Sequence, residues 1–414
     1  MQLRPVRGTK DIIPSQYDLF QKIIKASEDI AKTYCFQGYA TPVIEYTEIF
    51  NKTLGQTSDV VNKEMYNFND RSDESITLRP EFTAGIMRSI FSESLTHELP
   101  LRLFSYGPLF RHDRPQAGRQ RQFHQVNFEI IGENSELSDA EAVKLGCDII
   151  KALGIIDVQI EINSLGCEDS RSSYHVALKD YLIKYEDDLS HDSKIRLHKN
   201  PMRILDSKDE GDKKIVQNAP LISKFYTKEA KARFDLVLRL LDKMNVPYVI
   251  NENLVRGLDY YSHTAFEYST NKIGAQTAIG GGGRYDGLAK MMGKQVIPAI
   301  GLACGVERMM ILMQEAHKYE RKNIGIFPIS QDEVEFCAVF ASNLREHGLP
   351  VLVYESGKLG KRIEKSVSNG CNYAAFIGQN EVLSKSFRIK NLISGEESLL
   401  SYEEILKMLK EQFG

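Results

Sequence analysis

A chain of 414 residues is too long for one ordinary hydrophobic core, so two or three domains are expected. Its 42% hydrophobic and 26% charged residues are those of a soluble globular protein, and no apolar run approaches the ~18 residues of a membrane span. A net charge of −3 gives no global positive field, so any contact with nucleic acid has to come from local patches.

Pro14 and Ser15 open a predicted helix whose apolar side carries Phe20, Ile23, Ile24, Ala31 and Tyr34, with Gly38 as its stop. Residues 39–45 read as an extended segment. Pro42 within it cannot donate to a ladder, which sends this strand to an edge or an interface. Residues 76–79 read as a strand, and a helix follows from about Glu81. Two longer strands, 101–111 and 122–131, enclose the polar, basic stretch Asp113 to Gln120, giving a hairpin with a loop of functional character. Ser138 to Glu141 spells a capping box for a helix closed by Gly154. Val158 to Ile162 alternates as a strand.

From about residue 168 to 250 the texture turns helical, and half of residues 179–214 are charged, with both signs mixed. We read an inserted helical module there. Strand character returns over Leu254 to Tyr268. Gly280 to Gly283 reads as a glycine-rich turn, and Ala299 to Gly301 leads into the apolar helical run Val306 to Met313. Beyond the charged stretch His317 to Asn323, strands at 324–329, 351–354, 373–377 and 387–392 alternate with helices, the last capped at Ser401. That alternation predicts a mixed or parallel sheet covered on both faces.

The six cysteines form no CxxC pair and no zinc-finger spacing, and the nine histidines form no HExxH cluster. Reduced thiols, a reducing compartment and no protein-ligated metal are the expectation. The amino terminus, MQLRPVRGTKD, lacks the apolar stretch of a secretory signal, which points to the cytoplasm.

Three places carry chemistry. Tyr106 to Gly132 holds four arginines: Arg111, Arg114, Arg119 and Arg121. Guanidinium groups are always charged and present a planar fork of donors that suits phosphate. The alternative is a solvated basic hairpin tip, but Arg111 ends an alternating strand and is placed to point from the sheet into a site. Arg308 lies within an apolar helix, where an arginine either snorkels or binds an anion. Arg256 sits in LVRGLDYY (Leu254 to Tyr261), free to pair with Asp259 or another carboxylate. Gly280 to Gly283 is no phosphate loop, because GxxxxGK[ST] is absent and the GxGxxG frame is incomplete. Glycines there let a backbone pass close to a ligand or a neighbouring strand.

With these strings in hand, the chain resembles the histidyl-tRNA synthetases, which are class II aminoacyl-tRNA synthetases. The segment around Pro42 is similar to the first motif of that class, FRHDRPQAGRQRQFHQ (Phe110 to Gln125) to the second, and Gly301 to Leu312 to the third. LVRGLDYY and GGGRYDGL (to Leu288) resemble the two histidine-specific strings. The resemblance implies an α+β fold: a class II catalytic domain over residues 1–320, an antiparallel sheet flanked by helices with a helical insertion at about 168–250, and an α/β anticodon-binding domain over 321–414.

The resemblance also implies an activity, the ATP-dependent ligation of L-histidine to tRNA(His) through histidyl-adenylate, with ATP as substrate, Mg²⁺ as its companion and a homodimer as the working form. Arg111, Arg256 and Arg308 would be catalytic, with Arg111 on the α-phosphate and carboxylate and Arg308 on the γ-phosphate. Glu81, Thr83 and Gln125 would meet the amino group of histidine, and Glu129, Tyr260 and Tyr261 its ring. Gly281 to Arg284 would help floor the pocket, while Arg114 and Gln116 would read the 5′ end of the tRNA. The family shows Arg-Pro-Glu-Gly-Thr where this chain has Arg79-Pro80-Glu81-Phe82-Thr83, so Phe82 must point away from the pocket or the backbone must differ. The rival expectation is a non-catalytic relative, the regulatory subunit of ATP phosphoribosyltransferase. Such proteins usually lack the anticodon domain and the LVRGLDYY element, both of which this chain has.

Overall fold

Proline at the first helical position loses nothing by lacking an N–H, and α1 (Pro14–Thr33) starts there and buries Leu19, Phe20, Ile23, Ile24 and Ala31 at helical spacing. It stops at Cys35, in the left-handed region at φ 59°, and not at Gly38, which belongs to the two-residue strand β1 (Gln37–Gly38). The computed structural model describes residues 3–55, 60–114, 118–258, 260–273, 278–314 and 323–413. The chain divides into two units, Met1–His317 and Lys318–Gly414.

The first unit continues with β2 (Ile44–Tyr46), α2 (Thr47–Thr53), β3 (Tyr66–Asn69), β4 (Ser75–Leu78), α3 (Thr83–Ser92), β5 (Leu101–Phe110), β6 (Gln122–Ile131), α4 (Glu136–Ala152) and β7 (Gln159–Ser164). Helices α5 (Glu168–Leu182), α6 (His191–Lys199), α7 (Glu210–Val216) and α8 (Lys228–Lys243) come next. They lead to β8 (Val249–Ile250), β9 (Ser262–Ser269), β10 (Ala278–Arg284), α9 (Leu288–Met291), β11 (Ala299–Gly305) and α10 (Val306–Gln314).

The main sheet has the order β1-β5-β6-β11-β10-β9-β7-β8. Pairing is antiparallel from β5 through β7, as expected, and only the two-residue edge strands join in parallel. A small sheet, β2-β4-β3, keeps the strand that follows Pro42 at its edge. Side chains alternate across a strand. On β6, Val126, Phe128 and Ile130 enter a core shared with α1, α4, α8 and α10. Gln125, Asn127 and Glu129 therefore face the other side, where the core built on α3 lies.

Several local readings change. Helix α4 is capped by Ser135, whose hydroxyl oxygen accepts from Leu137 N–H at 3.1 Å, so the helix begins before the Ser138 box. Asp139 from that box turns inward to Arg284 instead. The described residues of 254–261 are not strand, which starts only at Ser262. Gly280 to Gly283 form the heart of β10, between β9 and β11, and not a turn. The reason is space, since a Cβ on Gly282 would lie 2.0 Å from the Gly301 carbonyl oxygen. Within the helical segment, α5 to α7 gather Tyr174, Leu178, Leu197, Ile204 and Val216 into a core of their own. Phe234, Val237 and Leu241 of α8 instead join the main core.

The second unit comprises β12 (Asn323–Pro328), α11 (Val334–Glu346), β13 (Val351–Val353), α12 (Leu359–Ser368), β14 (Cys371–Ile377), α13 (Gln379–Ser384), β15 (Ser386–Asn391), β16 (Glu397–Ser401) and α14 (Tyr402–Phe413). Its sheet, β13-β12-β14-β15-β16, is parallel over the first three strands and antiparallel after, the mixed sheet expected. The short elements α13 and β16 had no periodicity to announce them. All six cysteines are free. Among the described residues no helix is long and apolar enough to cross a membrane.

Candidate active site

Glu129 is the centre of a buried carboxylate cluster. It projects from β6 directly opposite Gly301 of β11, and a Cβ on Gly301 would stand 1.7 Å from Glu129 Oε2. The missing side chain is what lets the carboxylate lie along the sheet. Thr83 Oγ1 donates to Oε1 at 2.6 Å, Asn127 Nδ2 to the same oxygen at 3.1 Å, and Tyr285 OH to Oε2 at 2.5 Å. Burial disfavours the charged form and pushes its pKa up to about 7, against the opposing pull of these three donors. Glu81 sits just before α3 and takes the N–H of Thr83 at 2.6 Å and of Ala84 at 2.8 Å, using the orphan donors of a helix start. Burial raises its pKa too, offset by those bonds and by Arg111.

A cavity of about 290 Å³ joins this cluster to a set of arginines. Arg111 leaves the end of β5, donates Nε to the Pro80 carbonyl at 3.0 Å and lies over the Phe123 ring at 5.4 Å. Arg256 donates to Glu267 Oε2 at 2.8 Å and lies over the Tyr261 ring at 5.8 Å. A Cβ on Gly281 would come 2.8 Å from its Nη1, so a second glycine makes room for a site cation. Arg308, in the first turn of α10, donates Nε to the Gly118 carbonyl at 3.0 Å and Nη1 to the Ala278 carbonyl at 2.5 Å. Its pKa is lowered by burial and then by the nearby charges of Arg111 and Arg119. Crowded cations are a standing attraction for a polyanion. Next to Arg308, Glu307 holds His124 by its backbone N–H at 2.9 Å and by Nδ1 at 2.7 Å, tying α10 to β6.

Arg111, Arg256, Arg308, Glu81, Thr83, Gln125, Glu129, Tyr260 and Tyr261 all line this one cavity. Arg114 is exposed beside it in sequence, and Gln116 lies outside the described residues, as does Asp259. Arg284 does not floor the pocket. It is fully buried and bound to Asp139 and Asp286, and Gly280 and Gly281 take that place. Sequence reasoning gave no role to Asn127, Glu267, Tyr285 or Glu307, and placed Arg119 only within the basic segment suited to phosphate. Strand alternation between Gln125 and Glu129 was enough to find Asn127. Tyr285 stood inside a quoted string, but its bond to Glu129 joins residues 156 positions apart and leaves no local signal.

Comparison with known proteins bears on this geometry. The histidyl-tRNA synthetase family model matches residues 8–309, and an anticodon binding domain model matches residues 323–412. The chain belongs to the histidyl-tRNA synthetase family. It is 48% identical over 412 residues to the histidine--tRNA ligase of Rickettsia bellii, covering 99% of both chains. The same ligase of Rickettsia akari is 47% identical over the same share of both. Among solved structures, apo histidyl-tRNA synthetase of S. aureus superposes with a TM-score of 0.82 at 29% identity, covering 99% of this chain and all of that one. Phe82, which the resemblance expected to point away from the pocket or to sit on a different backbone, is among the residues that line the cavity. The side chain is 2% exposed, packs in the core beneath the cavity and carries the Arg79 guanidinium 4.3 Å above its ring.

Proposed function

We propose that this chain ligates L-histidine to tRNA(His) in two steps, with histidyl-adenylate as the intermediate. In the first, a histidine carboxylate oxygen bonds to the α-phosphorus of ATP as the bond to diphosphate breaks. In the second, a ribose hydroxyl of the terminal adenosine of tRNA takes the histidyl group and AMP leaves. The observation that carries the reading is the joining, in one cavity, of a buried carboxylate pair to three arginines. An ammonium and an imidazole N–H suit the first group, and a polyphosphate suits the second.

The roles follow from the chemistry of each side chain. Glu81, Thr83 and Gln125 receive the amino group, and Glu129, Tyr260 and Tyr261 hold the ring. Arg111 and Arg256 flank the carboxylate and α-phosphate, and Arg308 takes the γ-phosphate. The carboxylate is already a nucleophile, so the protein supplies alignment and charge neutralisation and no base. Mg²⁺ suits a site of one or two carboxylates plus substrate phosphates. Glu267 and Glu307 line the cavity with the arginines and would be the carboxylates to hold it; when bound, the ion would neutralise phosphate charge. A pocket that hydrogen-bonds both ring nitrogens leaves buried groups unpaired with a wrong amino acid, which is worth ~10⁴–10⁵ in discrimination.

Arg114 and Gln116 would meet the 5′ end of tRNA(His), and the second unit would read the anticodon, whose unpaired bases are open to contact. A homodimer built on the small sheet is supported by the exposed Ile44, Tyr46 and Phe68; sedimentation at the mass of one chain would remove it. The cytoplasm is its proposed location. Exchange of labelled diphosphate into ATP tests the whole reading. It should require histidine, and exchange driven by another amino acid, or none with histidine, overturns it.

A further inference from the structure

The segment Leu254 to Tyr261 supplies Arg256, Tyr260 and Tyr261 to the cavity, yet its described residues lie outside the strands of the sheet. Its side chains divide between two cores. Val255 packs against the core of the helical module, whereas Leu258, Tyr260 and Tyr261 belong to the core beneath the substrate cavity. The backbone of the segment is gripped from the module side. Arg171, one turn into α5, donates Nη1 to the Tyr261 carbonyl at 2.6 Å. Arg203, between α6 and α7, donates Nη2 to the Gly257 carbonyl at 3.0 Å.

Both arginines stand on fixed ground. The start of α5 is tied to the start of β9 by Leu165 N–H to the His263 carbonyl at 2.6 Å and His263 N–H to the Gly166 carbonyl at 3.0 Å. Arg203 is followed by Ile204 and Leu205, both buried in the module's core. Asp206, three residues after Arg203, comes close enough to Arg256 and Glu267 to interact with both charges. The module thus reaches the same segment at Val255, Gly257 and Tyr261, bracketing the residues that face the substrate.

We propose that Arg171 and Arg203 are positioning residues through which the helical module holds the segment Leu254 to Tyr261 in the shape that binds histidine. Neither lines the substrate cavity, and both act through the carbonyls of Gly257 and Tyr261. A fixed guanidinium on each carbonyl sets the direction in which Arg256 and the two tyrosines project, and a charged donor is the stronger choice for that task. Its kinetic consequence rests on the function proposed above.

The full-length chain tests this with Arg171→Ala, Arg203→Ala and the two lysine variants. In diphosphate exchange the alanine variants should raise KM for histidine or lower kcat by about tenfold, the scale of one charge-assisted hydrogen bond, with KM for ATP within about twofold of wild type. Lysine, which keeps a charged donor, should recover part of the loss. Amide hydrogen exchange should quicken over residues 255–262 and stay unchanged over α5 to α7. Alanine variants with wild-type KM and kcat for histidine and unaltered exchange overturn the proposal. So do variants whose amide exchange rises throughout α5 to α7, because the arginines would then hold the module itself together. If the wild-type chain shows no histidine-dependent diphosphate exchange, the functional reading fails, and the amide exchange still decides the positioning role.

Discussion

Replacing Gly301 by alanine is a one-methyl perturbation aimed at Glu129. The new Cβ would lie 1.7 Å from Oε2, 2.6 Å from Cδ and 2.9 Å from the Phe128 carbonyl oxygen. Gly301 sits in an interior strand paired to β6 and β10, so the backbone has little freedom to withdraw and the carboxylate must swing away. That motion breaks the Tyr285 bond of 2.5 Å and misaligns the Thr83 bond of 2.6 Å. A buried group left without its partner costs about 1–3 kcal/mol, and overpacking adds about 1–3 kcal/mol of its own. If half of that sum is felt in substrate binding, KM for histidine rises roughly fivefold to a hundredfold, at 1.4 kcal/mol per factor of ten. KM for ATP should stay within about twofold, because the arginines are untouched. Diphosphate exchange with each substrate varied in turn reads both constants, and circular dichroism checks that the variant is folded. Gly38→Ala serves as a control, since nothing lies within 4 Å of its Cβ position. A folded Gly301→Ala protein with wild-type KM for histidine would refute the assignment of Glu129 to the amino-acid pocket.

Glu129 also predicts a pH dependence. Its carboxyl titrates at about 7 in the folded chain and in the ordinary carboxylate range when unfolded. The folded state therefore holds the proton more tightly, so that contribution to stability is complete below the ordinary range and is lost as pH rises through about 7. The loss is on the order of 3 kcal/mol. Glu129→Gln cannot titrate, so its melting temperature should gain on wild type between pH 5 and pH 8; a constant difference would show that the carboxyl is not strained by burial. Arg256→Ala should cut adenylate formation by roughly a hundredfold or more, the scale of a lost transition-state contact, while weakening ATP binding far less. Single-turnover rates set against ATP affinity separate the two, and equal losses in both would reduce Arg256 to a simple binding group.

What could be read in advance was whatever leaves a periodic trace. The hairpin of β5 and β6 was legible because two apolar-rich ten-residue segments flank a turn-rich, basic stretch. Strand alternation put Gln125 and Glu129 on one face. The mixed sheet of the second unit followed from helices and strands in turn. Illegible features were those set by distant partners. Ser138 carries the letters of a capping box, yet Ser135 makes the cap, since Asp139 is drawn to Arg284 from 145 positions away. The end of α1 fell at Cys35 and not at the glycine three residues on, because the chain turns into β1 there. The partner of Arg256 is Glu267, on a strand whose alternation was visible but whose register was not.

The glycines of β10 show why a strand at the site was read as a turn. Glycine is a poor strand former, losing roughly 0.5–1 kcal/mol against alanine, so four in succession argue for a turn. In place they hydrogen-bond to β9 on one side and β11 on the other, and an interior strand can bear that cost. The gain is proximity. Added side chains would collide with Arg256 at Gly281, with the Tyr261 ring at Gly283 and with Glu129 at the facing Gly301. Each collision is with a residue that lines the cavity. A strand without side chains gives no alternation, so the method that finds strands is blind to it. The same emptiness lets a cation, an aromatic ring and a carboxylate rest against one surface. The pattern that hid β10 from a periodicity argument is therefore the pattern that makes it a floor, and the run of glycines marks the site by what it leaves out.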